Sequence, residues 1–240
     1  MIPQLKKIAH SIGSKPIKKA TDDEFISWIR FANAGMLNEG NLYCFEYAVE
    51  NLPSENPIVE IGSFCGLSTN LINFFLEKNH KKNKMITCDR WMFEGAENAD
   101  RLLGGSRISH RNYREFVKQT YIRNTQFFSD GHVPFTVEKF SDEFFDAWKI
   151  GAVEKDILGR DVKLGGTISF AYIDGNHTYD FAKRDFENVN SFLEPGGFIL
   201  FDDSEDDSKF EVNRVVKEVL NGGSYELVIK NPNYLIRKKS

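Results

Sequence analysis

Residues 57–68 read Pro-Ile-Val-Glu-Ile-Gly-Ser-Phe-Cys-Gly-Leu-Ser, and this stretch decides the fold. Its β-branched start predicts a short buried strand over 57–61 that carries an acid, Glu60, at its end. Gly62 and Gly66 open a loop, and Leu67, Leu71, Phe74 and Phe75 then recur on one face of a helix over about 66–79. Strand, glycine loop and helix start make a cradle in which the backbone approaches a ligand at the helix N-terminus. The spacing is Glu-x-Gly-x-x-x-Gly rather than the Gly-x-Gly-x-x-Gly of dinucleotide folds. An acid on the strand end repels a pyrophosphate and suits a ligand with positive charge and ribose hydroxyls.

Outward from this loop, strands and helices alternate, which implies a mostly parallel sheet. Short helices near 22–33 and 41–51 precede the first strand, and the start of the chain is basic (Lys6, Lys7, Lys15, Lys18, Lys19). Lys84 to Cys88 predicts a second strand ending at Asp89, and 133–139 a third, with a helix near 113–128 between them. Thr167 to Ile173 ends at Asp174, and Phe198 to Phe201 ends at Asp202-Asp203. A helix over 178–193 separates these two, and another near 210–220 follows. Strands 224–230 and 233–238 close the chain as a hairpin across Asn231-Pro232-Asn233. The segments 90–128 and 150–166 look like insertions. The first mixes Trp91, Met92, Phe93, Tyr113, Phe116 and Tyr121 with Arg101, Arg107, Arg111 and Arg114. That content suggests a lid over the entrance to the ligand crevice, or else a satellite core.

Composition narrows the class. A chain of 240 residues with 41% hydrophobic residues and 21 Phe buries a sizeable core. A net charge of −4 gives no basic footprint for nucleic acid. No uncharged apolar run reaches membrane-spanning length. Cys44, Cys65 and Cys88 form an odd set without a Cys-x-x-Cys pair, which fits reduced thiols and a cytoplasmic location.

Glu60, Asp89, Asp174 and Asp202-Asp203 all stand at predicted strand ends, where ligands bind in open α/β sheets. Asp89 comes 23 positions after Gly66, near the ~20-residue separation at which an acid grips ribose hydroxyls. Each acid alone is as well explained as a loop or helix cap; together they point to one crevice.

The chain resembles the class I S-adenosylmethionine-dependent methyltransferases. More narrowly, it is similar to the bacterial family marked by a Val-Glu-Ile-Gly loop, an Asp-Gly-x-His strand end and a Gly-Gly strand ending in an acid. The matching residues are Ile58 to Gly62 with Gly66 and Ser68, then Tyr172-Ile173-Asp174-Gly175-Asn176-His177, then Pro195-Gly196-Gly197 through Asp203. The chain departs at Asp202, where the family frequently carries His. The resemblance implies an α/β, Rossmann-like fold with a seven-stranded, mostly parallel sheet of order 3-2-1-4-5-7-6 and an antiparallel last strand. It implies a methyltransferase domain over 56–240 behind a helical extension over 1–55. S-adenosylmethionine would lie along Gly62, Ser63 and Gly66, with Glu60 near its ammonium or structuring the loop. Asp89 would hold the ribose, Ser141 or Asp142 the adenine, and Asp174 would border the methionine end. Ser68 reads equally as a helix cap, and Cys65 as a small filler.

Methyl transfer needs a nucleophilic oxygen in line with the sulfonium methyl. Asp174, Asp202 and Asp203 would hold a divalent cation, Mg or Mn, that lowers the pKa of a coordinated hydroxyl. His177, three residues beyond Asp174, would take the proton. Against this, Asp202-Asp203 begins the acidic run 202–207, which reads as a solvated loop, and His177 reads as a local hydrogen-bonder. The expected reaction is O-methylation of a small hydroxylated acceptor, a sugar or natural product, with N-methylation the close alternative. A nicotinamide-dependent dehydrogenase is disfavoured by the loop spacing and the terminal hairpin. A non-catalytic S-adenosyl-binding protein is the third reading, and a homo-oligomer is left open.

Overall fold

Alternation along the central strands sorts the core into two layers. In a computed structural model that describes residues 17–92, 98–129 and 131–240, β1 (Ile58–Ile61) turns Val59 and Ile61 to one face and Ile58 to the other. β6 (Ile168–Ile173) and β7 (Leu193–Phe201) do the same, with Ala171, Ile173, Ile199 and Phe201 against Phe170, Tyr172, Phe198 and Leu200. Both faces are apolar because helices cover both, as a parallel sheet requires. Of the basic start, Lys6, Lys7 and Lys15 lie outside the described residues, as does Phe93.

One face carries α1 (Glu24–Ala32), α2 (Glu39–Glu50) and α3 (Leu67–Lys78), whose Ile29, Phe45 and Phe75 are fully buried. The other carries α5 (Ser141–Lys149), α6 (Tyr179–Asn190) and α7 (Val212–Asn221). With β2 (Met85–Cys88), β3 (Phe135–Val137), β8 (Tyr225–Lys230) and β9 (Tyr234–Lys238), the main sheet runs β3-β2-β1-β6-β7-β9-β8. Pairing is parallel from β3 to β7, and β9 lies antiparallel to both β7 and β8. This is the expected 3-2-1-4-5-7-6 order once the excursion at 150–166 is set aside. That excursion is an antiparallel hairpin of β4 (Val153–Lys155) and β5 (Asp161–Lys163), with Val162 buried in the core.

Two boundaries differ from expectation. α4 (His110–Phe128) starts earlier than residue 113 because Ser109 Oγ accepts from Asn112 N at 3.2 Å and caps it. β7 begins at Leu193 rather than Phe198, since Gly196, at φ 81°, takes up a bulge and lets the strand re-enter register at Phe198. Strand order reverses between β1 and β6, so a crevice opens at their carboxyl ends.

Candidate functional site

The loop after β1 is fixed from below. Gly62 sits at φ 84°, and a Cβ there would stand 2.0 Å from the Asp174 carbonyl oxygen. The glycine is therefore demanded by the close passage of the β6 end, a tighter constraint than ligand access alone. Gly66, at φ 88°, is the N-cap of α3 and faces Tyr121 and Thr125 of α4. Glu60 is fully buried on the α3 side and accepts from Ser63 Oγ at 3.0 Å, Ser68 Oγ at 2.6 Å and Thr69 Oγ1 at 2.5 Å. Burial pushes its pKa up to about 7 against the pull of these hydroxyls. Ser68 thus spends its hydroxyl on Glu60, and helix capping falls to Gly66.

Asp89, at the β2 end, closes over the same loop. Its Oδ2 accepts from Ser63 N at 2.8 Å and Phe64 N at 3.0 Å, and its Oδ1 from Trp91 N at 2.5 Å. Burial raises its pKa despite these donors. Ser141 opens α5 beside Asp185 of α6, whose pKa burial raises to about 6. Asp142 is engaged by Arg184 at 3.1 Å and Asn188 at 2.9 Å.

Across the crevice, the β6 and β7 ends bring Asp174, His177, Asp202 and Asp203 together. Tyr172 OH donates to Asp174 Oδ2 at 3.2 Å and receives Asn41 Nδ2 at 3.5 Å, and Asp202 lies close enough to Asp174 to be raised by its charge. His177 stands between carboxylates, with Nε2 3.5 Å from Asp174 Oδ1 and Nδ1 3.3 Å from Asp203 Oδ2. Its Nε2 is buried and makes no hydrogen bond. Asp203 holds a left-handed φ of 49°, a conformation Asp tolerates. Burial first, and then the neighbouring acids, raise Asp174 and Asp202 well above the usual carboxylate range. No group of three or more His, Cys, Asp or Glu side chains among the described residues is placed to hold a metal ion.

The aromatic segment after β2 divides: Trp91 and Tyr121 pack a satellite core, and Met92 and Phe116 are exposed. Trp91 is buried with Cys65, Val117 and Tyr121 in a satellite core, and its Nε1 donates to Phe64 O at 2.9 Å. It pins the back of the β1 loop. Cys65 is held by its carbonyl, which accepts from Asn33 Nδ2 at 2.9 Å and Asn124 Nδ2 at 2.8 Å. Its thiol is pushed up to about 11 by burial, which leaves it unreactive as a nucleophile. All three cysteines are free and buried, and no described helix is long and apolar enough to cross a membrane.

Two residues at the crevice escaped the sequence reading. Asn41 of α2 and Asn233 of the β8–β9 turn both donate to Asp202 Oδ1, at 2.5 and 2.7 Å. Asn233 carried only a hairpin signal, and Asn41 lies far from any motif; a polar residue next to the apolar Leu42 was the one available hint.

Residues 59–204 match the Methyltransf_24 family, a methyltransferase domain, over more than half of the chain. Among solved structures the fold is similar to an O-methyltransferase from Bacillus cereus in complex with SAH. That likeness has a TM-score of 0.58 at 12% identity over 98% of this chain and 96% of that one. It is also similar to the O-methyltransferase TomG from Streptomyces achromogenes, involved in tomaymycin synthesis and solved with SAM (TM-score 0.53, 13% identity, 100% of each chain). The calicheamicin methyltransferase CalS11 superposes with a TM-score of 0.54 at 15% identity, over 94% of this chain and 97% of that one. At such identities the likeness is one of fold. No curated protein matches the chain.

Proposed function

The chain belongs to the Methyltransf_24 methyltransferase-domain family, and from that premise we propose that it transfers the methyl group of S-adenosylmethionine to a hydroxyl of a small molecule, a sugar or natural-product scaffold. The observation that carries this reading is His177, whose unpartnered Nε2 faces Asp174 at the carboxyl end of β6, beside the β1 loop. The fold shared with O-methyltransferases solved with SAM or SAH supports the cofactor and the hydroxyl acceptor.

The cofactor would follow the loop Gly62, Ser63, Gly66, with Asp89 turning to the ribose diol and Ser141 bordering the adenine. Glu60, saturated by three hydroxyls, sets the loop's shape from beneath. On the acceptor side, Nδ1–H of His177 directed at Asp203 fixes the tautomer that leaves Nε2 as a proton acceptor. The acceptor hydroxyl gives its proton to Nε2 as its oxygen bonds the methyl carbon and the carbon–sulfur bond breaks. The imidazolium so formed lies between Asp174 and Asp203, which stabilise its charge.

As placed here, Asp174, Asp202 and Asp203 do not form a group that holds a metal ion, and the raised pKa values of Asp174 and Asp202 suit a shared proton. Magnesium ordinarily asks for only one or two carboxylates and completes its shell with water and substrate oxygens. To hold an ion, Asp174, Asp202 and Asp203 would have to turn toward one another, and the ion would then supply a lowered pKa to a coordinated acceptor hydroxyl.

The test is calorimetry and turnover together. S-adenosylhomocysteine should bind and raise the melting temperature, and NAD should do neither. Transfer to a hydroxylated panel should exceed transfer to an amine panel, and His177→Ala should lower kcat by ~10²–10⁴ with cofactor affinity retained. Stabilisation by NAD alone, or full activity of the His177 variant, would each overturn the proposal. Unchanged turnover in excess chelator would remove the metal from it.

A further inference from the structure

The carboxyl of Asp202 does not orient itself. It is 5% exposed, and its Oδ1 receives two amide donors, Asn41 Nδ2 at 2.5 Å and Asn233 Nδ2 at 2.7 Å. Asn233 Nδ2 also reaches Asn41 Oδ1 at 3.0 Å, and Asn233 Oδ1 accepts from Ser204 N at 2.9 Å. The two amides and Asp202 form a closed ring whose members come from α2, the β7 end and the β8–β9 turn. A carboxylate oxygen offers about two acceptor directions. Asn41 Nδ2 also reaches Tyr172 OH at 3.5 Å, and that hydroxyl donates to Asp174 Oδ2 at 3.2 Å, so the same amide is tied to both acids.

Asn233 satisfies the buried Ser204 N–H, but packing gives no reason for an amide at Asn41. Asn41 is fully buried on a helix whose other buried residues include Leu42, Cys44, Phe45, Ala48 and Val49, and Asn233 is 1% exposed. A leucine at position 41 would fill comparable space without the cost of burying an amide. Buried polar networks that are fully satisfied fix one arrangement of their members. Both asparagines also lie outside the family match at 59–204.

We infer that Asn41, with Asn233, is a positioning residue for the acceptor side of the site: the pair sets the orientation of Asp202, and Asn41 through Tyr172 OH that of the Asp174 carboxyl beside His177. This rests on the methyl-transfer reading. It also makes the helices ahead of β1 a working part of the site, because Asn41 belongs to α2.

Asn41→Leu keeps the volume and removes the donors; Asn41→Asp keeps the shape and replaces a donor by an acceptor; Asn41→Ser is a smaller polar control. Outer-shell changes of this kind cost ~10–100-fold in activity, so kcat should fall by that factor in the Leu and Asp variants while KM for S-adenosylmethionine and S-adenosylhomocysteine affinity stay within ~3-fold. Crystal structures of wild type and Asn41→Leu with S-adenosylhomocysteine should show the Asp202 carboxyl turned away from Asp174 in the variant only. A folded variant with kcat within ~3-fold of wild type, cofactor affinity falling in step with kcat, or an unmoved Asp202 would each overturn the inference. Failure of all three variants to fold would overturn it too, making the pair purely structural. Wild-type protein that binds S-adenosylhomocysteine yet methylates no hydroxyl would sink the methyl-transfer reading instead, and the crystallographic comparison would still decide the role of Asn41.

Discussion

The two sides of the crevice handle their acids in opposite ways. On the β1–β2 side, Glu60 and Asp89 are each surrounded by donors: three hydroxyls for one, three backbone N–H groups for the other. On the β6–β7 side, Asp174, Asp202 and Asp203 face one another and a histidine, and two of the three are raised well above the usual range by burial and mutual repulsion. The first arrangement answers its charges internally and so builds a rigid loop. The second gives Asp174 and Asp202 donors of their own but sets acid against acid, which favours a held proton. Scaffold and chemistry are thus separated across the crevice.

The strongest way to break this contrast is at the point where the two sides touch. Gly62→Ala places a Cβ 2.0 Å from the Asp174 carbonyl oxygen and adds the strain of a left-handed φ of 84°. Backbone on both sides leaves no flexible atom to yield, so a loss of at least ~4 kcal/mol is expected, in the range reserved for steric failure. Urea unfolding of the variant measures it. A loss under ~1 kcal/mol would mean that the β1 and β6 ends are not locked together.

This glycine also shows where the sequence was legible. The strand, loop and helix at 57–79 and the strand order followed from periodicity, turn residues and family resemblance, because those signals are local. Gly62 was legible as a glycine that matters, but its reason was not, since the obstructing atom belongs to Asp174, over a hundred residues later. For Trp91 the sequence leaves lid and satellite core open for the same cause: the partners that decide for the core, Phe64 and Tyr121, come from the loop before it and the helix after it. Asn41 and Asn233 gave no signal of a role at the site because their shared partner, Asp202, is distant from both in sequence.

The next effect is a pH dependence. Glu60 keeps its proton to about pH 7 when folded, against the usual 4.5. Between those values the folded protein binds more protons than the unfolded chain, so stability falls as pH rises through the window. The full shift corresponds to about 3 kcal/mol at pH 7 and above, and nothing below pH ~4. Glu60→Gln should flatten that portion of the stability curve. Asp174 and Asp202 are raised in the same sense, so the slope that persists in the variant belongs to the other side of the crevice. A curve unchanged by Glu60→Gln would show that the hydroxyls fully stabilise the charge.

Thr69→Val removes one of the three donors on Glu60 while keeping the side-chain shape. A buried charged acceptor that loses a hydrogen bond costs about 1–3 kcal/mol, and loss is expected here because Ser63 and Ser68 are already committed. Turnover should change far less than stability, since the change stays on the scaffold side. A kcat drop as large as that of His177→Ala would show the two sides to be coupled.

Asp203→Asn gives the smallest and opposite effect. Asn tolerates the left-handed φ of 49° as well as Asp does, so the backbone is preserved. The change removes a charge that repels both Asp174 and Asp202. The Asp203 side chain is 31% exposed, so solvent screens much of that repulsion, and the gain should be no more than ~1 kcal/mol. Turnover should nevertheless fall, because the Asn amide no longer offers His177 Nδ1 a charged partner and the imidazolium loses half of its support. Stability up and kcat down in one substitution is the signature of charge retained for chemistry. If Asp203→Asn instead destabilises the protein as Thr69→Val does, the acids at the β6 and β7 ends are structural like those at β1 and β2, and the contrast between the two sides of the crevice disappears.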